Sequence, residues 1–260
     1  MEGWSPLALA GLGSLLAGLM TAVGAAPVLA GRRPSDATRD ALLGFAAGVM
    51  LSASFFSLII PALDAAEADH GAGAVPPLIV AAAILLGMGA VAVLNETLPH
   101  EHFGSGREGP EAASLRRIWL FILAITIHNV PEGLAVGVAF AGEGMEGGLP
   151  LALGIGLQNA PEGLAVAVAL VGQGYGRARS WAVAAATGLV EPLGGLLGAG
   201  VTALSEPILP WALAFAAGAM LYVISHEIIP ETHRAGHQRR ATAGLAVGLV
   251  LMLFLDVWLG

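Results

Sequence analysis

Apolar residues dominate the chain in long runs, and short polar breaks separate them. Eight runs stand out, at about 7–30, 39–63, 74–95, 115–141, 148–172, 178–204, 208–231 and 241–259. Each is near or above the ~20 residues that an α-helix needs to cross a bilayer. The breaks hold the charges and many of the Pro and Gly residues. The longest, from Glu96 to Arg117, is too short for a soluble domain. The pattern predicts an all-α integral membrane protein with eight transmembrane helices, forming a single transmembrane domain over 1–260.

Charge supplies the topology. The eleven basic residues are all Arg. Arg32, Arg33 and Arg39 follow the first run. Arg107, Arg116 and Arg117 follow the third, Arg177 and Arg179 the fifth, and Arg234, Arg239 and Arg240 the seventh. All fall in alternate connections, the side that the positive-inside rule makes cytoplasmic. Both termini then face out. The opposite connections carry Asp64, Glu67, Asp69, Glu143, Glu146 and Glu206. An acidic outer mouth would concentrate cations, although those acids also simply avoid opposing the charge rule.

Composition excludes other classes. Apolar residues make up 56% and charged residues 12%, about half the charged share of a soluble domain. Mean hydropathy is +0.79. The natural partner of such a surface is lipid. A net charge of −8 argues against nucleic acid. With no cysteine there is neither a disulfide framework nor a thiolate metal site. The first run, without a basic region before it, reads as a retained span rather than a signal peptide. The expected location is the plasma membrane, and the Ala- and Gly-rich, lysine-free composition suggests a bacterial inner membrane.

Two internal repeats organise the runs. Phe45-Ala-Ala-Gly48-Val-Met50-Leu51 returns 170 positions later as Phe215-Ala-Ala-Gly218-Ala-Met220-Leu221. The same offset pairs Gly18 with Gly188 and Gly24 with Gly194. Spans one and two thus resemble spans six and seven, in opposite directions across the membrane. That is the inverted repeat of many secondary transporters. The third and eighth spans show no convincing match. A stronger repeat lies 30 positions apart: Asn129-Val-Pro131-Glu132-Gly133-Leu-Ala-Val and Asn159-Ala-Pro161-Glu162-Gly163-Leu-Ala-Val. These segments fall in the adjacent, antiparallel fourth and fifth spans, where they can face each other at similar depth.

Ionisable groups inside spans are expensive and mark function by default. His128 and Glu132 are four apart and share a helix face, as do Gln158 and Glu162. Together they offer one imidazole, one amide oxygen and two carboxylates, a set suited to zinc or another first-row divalent ion. Asn129 and Asn159 stand one residue away, placed to serve a second ion or to orient the carboxylates. Pro131 and Pro161 would release the carbonyls of Ile127 and Leu157, and Gly133 and Gly163 would let neighbouring helices close in. Glu191, before Pro192, is either a further ligand or a protonated acid bonded to another helix. Its mate under the 170 offset is the uncharged Thr21. His226, Glu227 and Glu231 lie near the inner end of the seventh span. With Glu96, His100 and His102 they suggest an exit path or cytoplasmic site, against the alternative of a solvated helix end. His70, His233 and His237 read as surface residues.

The paired His128-Asn-Val-Pro-Glu132-Gly and Gln158-Asn-Ala-Pro-Glu162-Gly segments resemble the signature of the ZIP family of metal transporters. Val190-Glu191-Pro192 and His226-Glu227-Ile-Ile-Pro230-Glu231 are similar to its later motifs. The Gln that opens the second motif is similar to the bacterial GufA-like branch. The resemblance implies a 3+2+3 arrangement, with spans four and five enclosed by two inverted three-helix bundles. It implies a two-metal centre. One site would use His128, Glu132, Gln158 and Glu162, and the other Asn129, Glu132, Asn159, Glu162 and Glu191. The bound ion would be substrate rather than cofactor: zinc, iron, manganese or cadmium, moved into the cytoplasm, with an elevator-like slide of the transport helices. Many relatives carry His at the position of Gln158, and some carry Asp at that of Asn159. A homodimer stays open.

Two rival readings follow from the same residues. His226-Glu227 invites a membrane-embedded metal-dependent hydrolase, but a zinc-protease helix needs a second His where Pro230 stands. A metal exporter using the same site is not excluded by its ligands.

Overall fold

The computed structural model describes residues 4–32, 34–97, 111–172, 174–204, 206–233 and 236–259. Ten α-helices are described: α1 (Pro6–Ala25), α2 (Asp36–Ala53), α3 (Ile60–His70), α4 (Val75–Thr97), α5 (Glu111–Gly172), α6 (Arg177–Gly188), α7 (Glu191–Leu204), α8 (Leu209–Val223), α9 (Ile229–Thr232) and α10 (Gln238–Leu259). There is no strand among the described residues.

Local chemistry sets several ends. Ser5 accepts the N–H of Ala8 at 3.2 Å with Pro6 behind it, which starts α1. Ser35 caps α2 through the N–H of Thr38, with Asp36 in the first turn. Gly71, at φ 74°, ends α3. Helices α2 and α3 run on through a π-helical stretch, Ser54–Ile59, and α8 and α9 through another, Ile224–Ile228. The two stretches begin 170 positions apart, so the repeat extends to this uncommon geometry.

Among the described residues, seven helices are long and apolar enough to cross a membrane: Pro6–Val28, Asp36–His70, Val75–Val93, Asn129–Gly172, Arg177–Leu204, Leu209–Thr232 and Gln238–Leu259. Leu16, Leu85, Leu86, Leu193, Val250 and Phe254 are exposed on their outer faces, a surface that suits hydrocarbon rather than water.

Helix α5 is a hairpin. Gly144 leaves helical angles, with φ 67° and ψ −138°. On either side of it a Cβ on Gly148 would lie 2.3 Å from the ring of Phe140, and Gln158 bonds Glu132. In a straight helix those last two would be ~39 Å apart. The two limbs are therefore antiparallel neighbours. Their prolines do not unwind them: helical angles persist through Pro131, Pro150 and Pro161, although a proline still gives the carbonyl four residues back no N–H.

The hairpin is central. It packs against α1, α6 and α7 on one side and α2, α8 and α10 on the other. Helix α2 packs chiefly on α10, and α4 on α8, while α1 makes little contact with α2. Among the described residues, α1 therefore packs on the hairpin, α6 and α7 rather than on α2, while α3 packs on α4; the two halves exchange helices around the hairpin.

Close helix crossings expose the inverted repeat. A Cβ on Gly18 would lie 2.2 Å from the carbonyl oxygen of Gly188, and one on Gly188 would lie 2.3 Å from that of Gly18. These glycines are repeat mates, so their contact straddles the pseudo-twofold axis. Gly133 meets the carbonyl of Glu191 as Gly163 meets that of Thr21, both at 2.1 Å from the would-be Cβ. Gly48 and Gly248 meet Leu245 and Phe45; Gly218 and Gly87 meet Ile84 and Phe215 in the same way. The third and eighth spans are thus related after all, with Gly87 the mate of Gly248.

Candidate metal centre

Six of the residues singled out from the sequence are buried in the middle of this arrangement: Asn129, Glu132, Gln158, Asn159, Glu162 and Glu191, none more than 4% exposed. Asn129 and Glu132 come from the first limb of α5, and Gln158, Asn159 and Glu162 from the second. Glu191 opens α7 and is brought in where Gly133 allows that helix to touch the hairpin.

Hydrogen bonds link four of the six into a chain. Gln158 donates Nε2 to Glu132 Oε1 and, at 3.3 Å, to Asn159 Oδ1. Asn159 donates Nδ2 to Glu191 Oε1 at 2.7 Å and to the carbonyl of Ala17 at 2.9 Å. Glu162 lies close enough to interact electrostatically with both Glu132 and Glu191. Three acids therefore share one water-poor interior, with the two amides inserted between them. Among the described residues, no three His, Asp or Glu side chains converge in a finished coordination shell. The amide N–H groups supply the positive ends that keep the carboxylates together.

Oxygen atoms are left over. Asn129 Oδ1, Glu132 Oε2, Gln158 Oε1 and Glu191 Oε2 are buried with no hydrogen-bond partner among the described residues. Buried polar atoms are nearly always satisfied, so four orphaned acceptors clustered with three acids are exceptional. All four lack a donor, and a cation is the kind of group that satisfies several oxygens at once. Carboxylate and amide oxygens suit a divalent ion of the first row.

The side chain of His128 lies outside the described residues, as do those of Glu96 and Glu227 and the whole of His100 and His102. The backbone of His128 continues α5, one turn before Glu132. His226 is exposed in the second π-helical stretch, its ring stacked on Tyr222 at 4.9 Å. Glu231 is half-buried in α9. His233 is exposed, and its Nδ1 faces the carbonyl of Ile229 at 2.8 Å. His237 is not the plain surface residue expected. Its Nδ1 lies 2.9 Å from Oδ2 of the buried Asp40, which pins the start of α10 to α2.

Further polar residues are buried or paired outside the set singled out from the sequence as ligands. Asp40 sits buried inside the second apolar run. Asp256 accepts from Ser57 Oγ at 2.5 Å and lies within electrostatic reach of Glu143, which in turn feels Asp64. An acid inside an otherwise apolar run was the available signal for both. Thr21 is buried, and its Oγ1 has no partner among the described residues.

Known proteins point the same way. A family model described as "ZIP Zinc transporter" matches residues 95–256. The chain is 50% identical to zinc transporter ZIPB of Bordetella bronchiseptica over 92% of its own length and 78% of that protein. It is 49% identical to zinc transporter GufA of Myxococcus xanthus over 95% of its length and 97% of that protein. It is 37% identical to human zinc transporter ZIP11 across the whole of both chains.

Proposed function

The chain belongs to the ZIP family of zinc transporters, and we propose on that premise that it carries divalent metal ions, zinc foremost, across the membrane into the cytoplasm. The observation that carries this reading is the cluster of orphaned oxygens on Asn129, Glu132, Gln158 and Glu191. Its donors suit a cation, and it lies inside helices long enough to span a bilayer.

We read the whole as eight crossings in 3+2+3 order, with the α5 hairpin as the central pair and both termini outside. The acids Asp64, Glu143 and Asp256 then stand at the outer mouth, where they raise the local cation concentration. A hydrated ion sheds water onto Glu132, Glu162 and Glu191, whose mutual repulsion it relieves. Two ions fit the donor set, with Glu132 and Glu162 shared, Gln158 and His128 on one side, and Asn129, Asn159 and Glu191 on the other. Iron, manganese and cadmium bind related oxygen and nitrogen sets, and their transport is part of the same proposal. The site opens inward when one group of helices shifts against the other, and the ion leaves toward His226, Glu227 and Glu231. The family is one of transporters, so the hydrolase reading has no support.

The test is zinc uptake into proteoliposomes by Glu132→Gln and Glu162→Gln. Each removes a charged ligand while keeping its shape, and uptake should fall roughly tenfold or more. Unchanged uptake in both variants would place the pathway elsewhere.

A further inference from the structure

The pseudo-twofold axis gives every residue of the centre a mate. Asn129 answers Asn159, Glu132 answers Glu162 and His128 answers Gln158; among the acids, only Glu191 is answered by a residue without a carboxylate, Thr21. Thr21 is buried, and its hydroxyl is unsatisfied among the described residues.

A threonine inside a helix can return its hydroxyl to the carbonyl four residues back. Ser14, Ser54, Thr126 and Thr202 all do so here, at 2.6 to 2.9 Å. For Thr21 that carbonyl belongs to Ala17, and it accepts Asn159 Nδ2 at 2.9 Å. The helical N–H of Thr21 claims its other lone pair. The hydroxyl has lost its ordinary acceptor to a residue of the centre.

Its position is defined by close contacts. Oγ1 lies 2.6 Å from where a Cβ on Gly188 would stand, while the Thr21 backbone and methyl, the latter 2.9 Å from a would-be Cβ, abut Gly163 next to Glu162. In the mirror-related contact, a Cβ on Gly18 would lie 3.4 Å from Cδ of Glu191. Gly18 is three residues before Thr21, and Gly188 three before Glu191. The carboxyl of Glu191 and the hydroxyl of Thr21 therefore flank one helix crossing from opposite sides of the axis.

We propose that Thr21 is a specificity-determining residue of the centre: its hydroxyl offers the cation a neutral oxygen at the place where the other half offers the carboxylate of Glu191. The proposal rests on the centre's being the transport site. A fourth acid here would hold a divalent ion more tightly, and conduction requires that an ion also leave. A hydroxyl completes the oxygen set without that charge. Being a hard donor, it favours oxygen-seeking ions over softer ones.

Purified protein in proteoliposomes provides the test, with zinc uptake competed by manganese or cadmium. Thr21→Val removes the hydroxyl at nearly constant shape. It should raise KM for zinc roughly three- to tenfold, the range of one lost polar contact, and should weaken competition by manganese more than by cadmium. Thr21→Ser restores the hydroxyl and should match the native protein in both respects. Thr21→Ala repeats the deletion without the added methyl, and melting temperatures in detergent identify any variant that has lost its fold. Native kinetics and competition in Thr21→Val or Thr21→Ala overturn the proposal. So does an equal loss in Thr21→Ser, because shape would then be the cause. Glu132→Gln, run alongside, separates the two levels: if it is inactive while Thr21→Val is native, only the Thr21 role fails, and if it is fully active the centre itself is misassigned.

Discussion

Asn159 holds Glu191 against the first helix: one nitrogen, Nδ2, donates to Glu191 Oε1 at 2.7 Å and to the carbonyl of Ala17 at 2.9 Å. The bond joins two spans that the repeat relates, and it fixes the acid that has no acidic mate. Asn159→Asp would replace this donor with a fourth negative group. Without metal the carboxylates would repel, and the melting temperature should fall. With zinc the extra charge becomes a ligand, and tenfold tighter binding would add about 1.4 kcal/mol of zinc-dependent stabilisation. Thermal unfolding in detergent, with and without zinc, checks both signs. A variant that melts like the native protein in both conditions would show that the asparagine is not a structural donor.

The glycines after the two Pro-Glu pairs carry the second prediction. A Cβ on Gly133 would overlap the carbonyl of Glu191, and one on Gly163 that of Thr21, each at 2.1 Å from backbone. Backbone cannot rotate out of the way, so Gly133→Ala and Gly163→Ala should each cost about 1–3 kcal/mol of stability. Their effects on zinc should differ. Gly133→Ala displaces a carboxylate and should weaken zinc binding by about tenfold or more; Gly163→Ala displaces a hydroxyl and should weaken it less. Calorimetric zinc titration of the purified variants separates the two, and equal losses would contradict the asymmetry.

The sequence made the centre legible because intramembrane acids are too costly to be incidental. The doubled Asn-x-Pro-Glu-Gly put Glu132 and Glu162 on facing limbs of one hairpin, whereas the second apolar helix runs on to His70, past the expected end at 63, and the fourth and fifth runs join in α5. What stayed hidden was encoded by small residues. Gly87 and Gly248 are mates in the third and eighth spans, yet Gly and Ala recur in any packed membrane helix, and only the paired crossings with Phe215 and Phe45 reveal the register. The family resemblance also implied two inverted three-helix bundles around the central pair. Packing of α1 on the hairpin, and of α2 on α10, interlocks the halves instead. Asp40 and His237 are 197 positions apart, so no local pattern could have joined them.

Acid should oppose zinc. Ligand carboxylates bind either protons or metal, so if Glu132, Glu162 and Glu191 hold the ion as proposed, zinc must displace whatever protons they carry. Uptake at subsaturating zinc should fall as pH is lowered, chiefly through KM, with recovery at high zinc. Calorimetry in buffers of different ionisation enthalpy should detect the released protons directly. A binding enthalpy independent of buffer, together with a pH-insensitive KM, would mean that the acids are not first in contact with the ion.

The contact between His237 and Asp40 makes the last prediction, at a distance from the centre. Asp40 is buried, with Oδ2 2.9 Å from His237 Nδ1 and Oδ1 3.6 Å from Arg39 Nη2. His237 immediately precedes α10, whose crossing with α2 is built on Gly48 and Gly248. Removing the imidazole leaves a buried oxygen without its partner, so His237→Ala should cost about 1–2 kcal/mol of stability. Asp40→Asn keeps a side-chain oxygen able to accept from the imidazole and should cost less. If the two residues act through one contact, the double variant should lose about 1 kcal/mol less than the sum of the single losses. Because the pair pins two helices and touches no residue of the centre, KM for zinc should stay native in every variant that remains folded. Strictly additive losses would show that Asp40 finds its support elsewhere. A shift in KM without loss of stability would instead tie this end of α2 to the transport step.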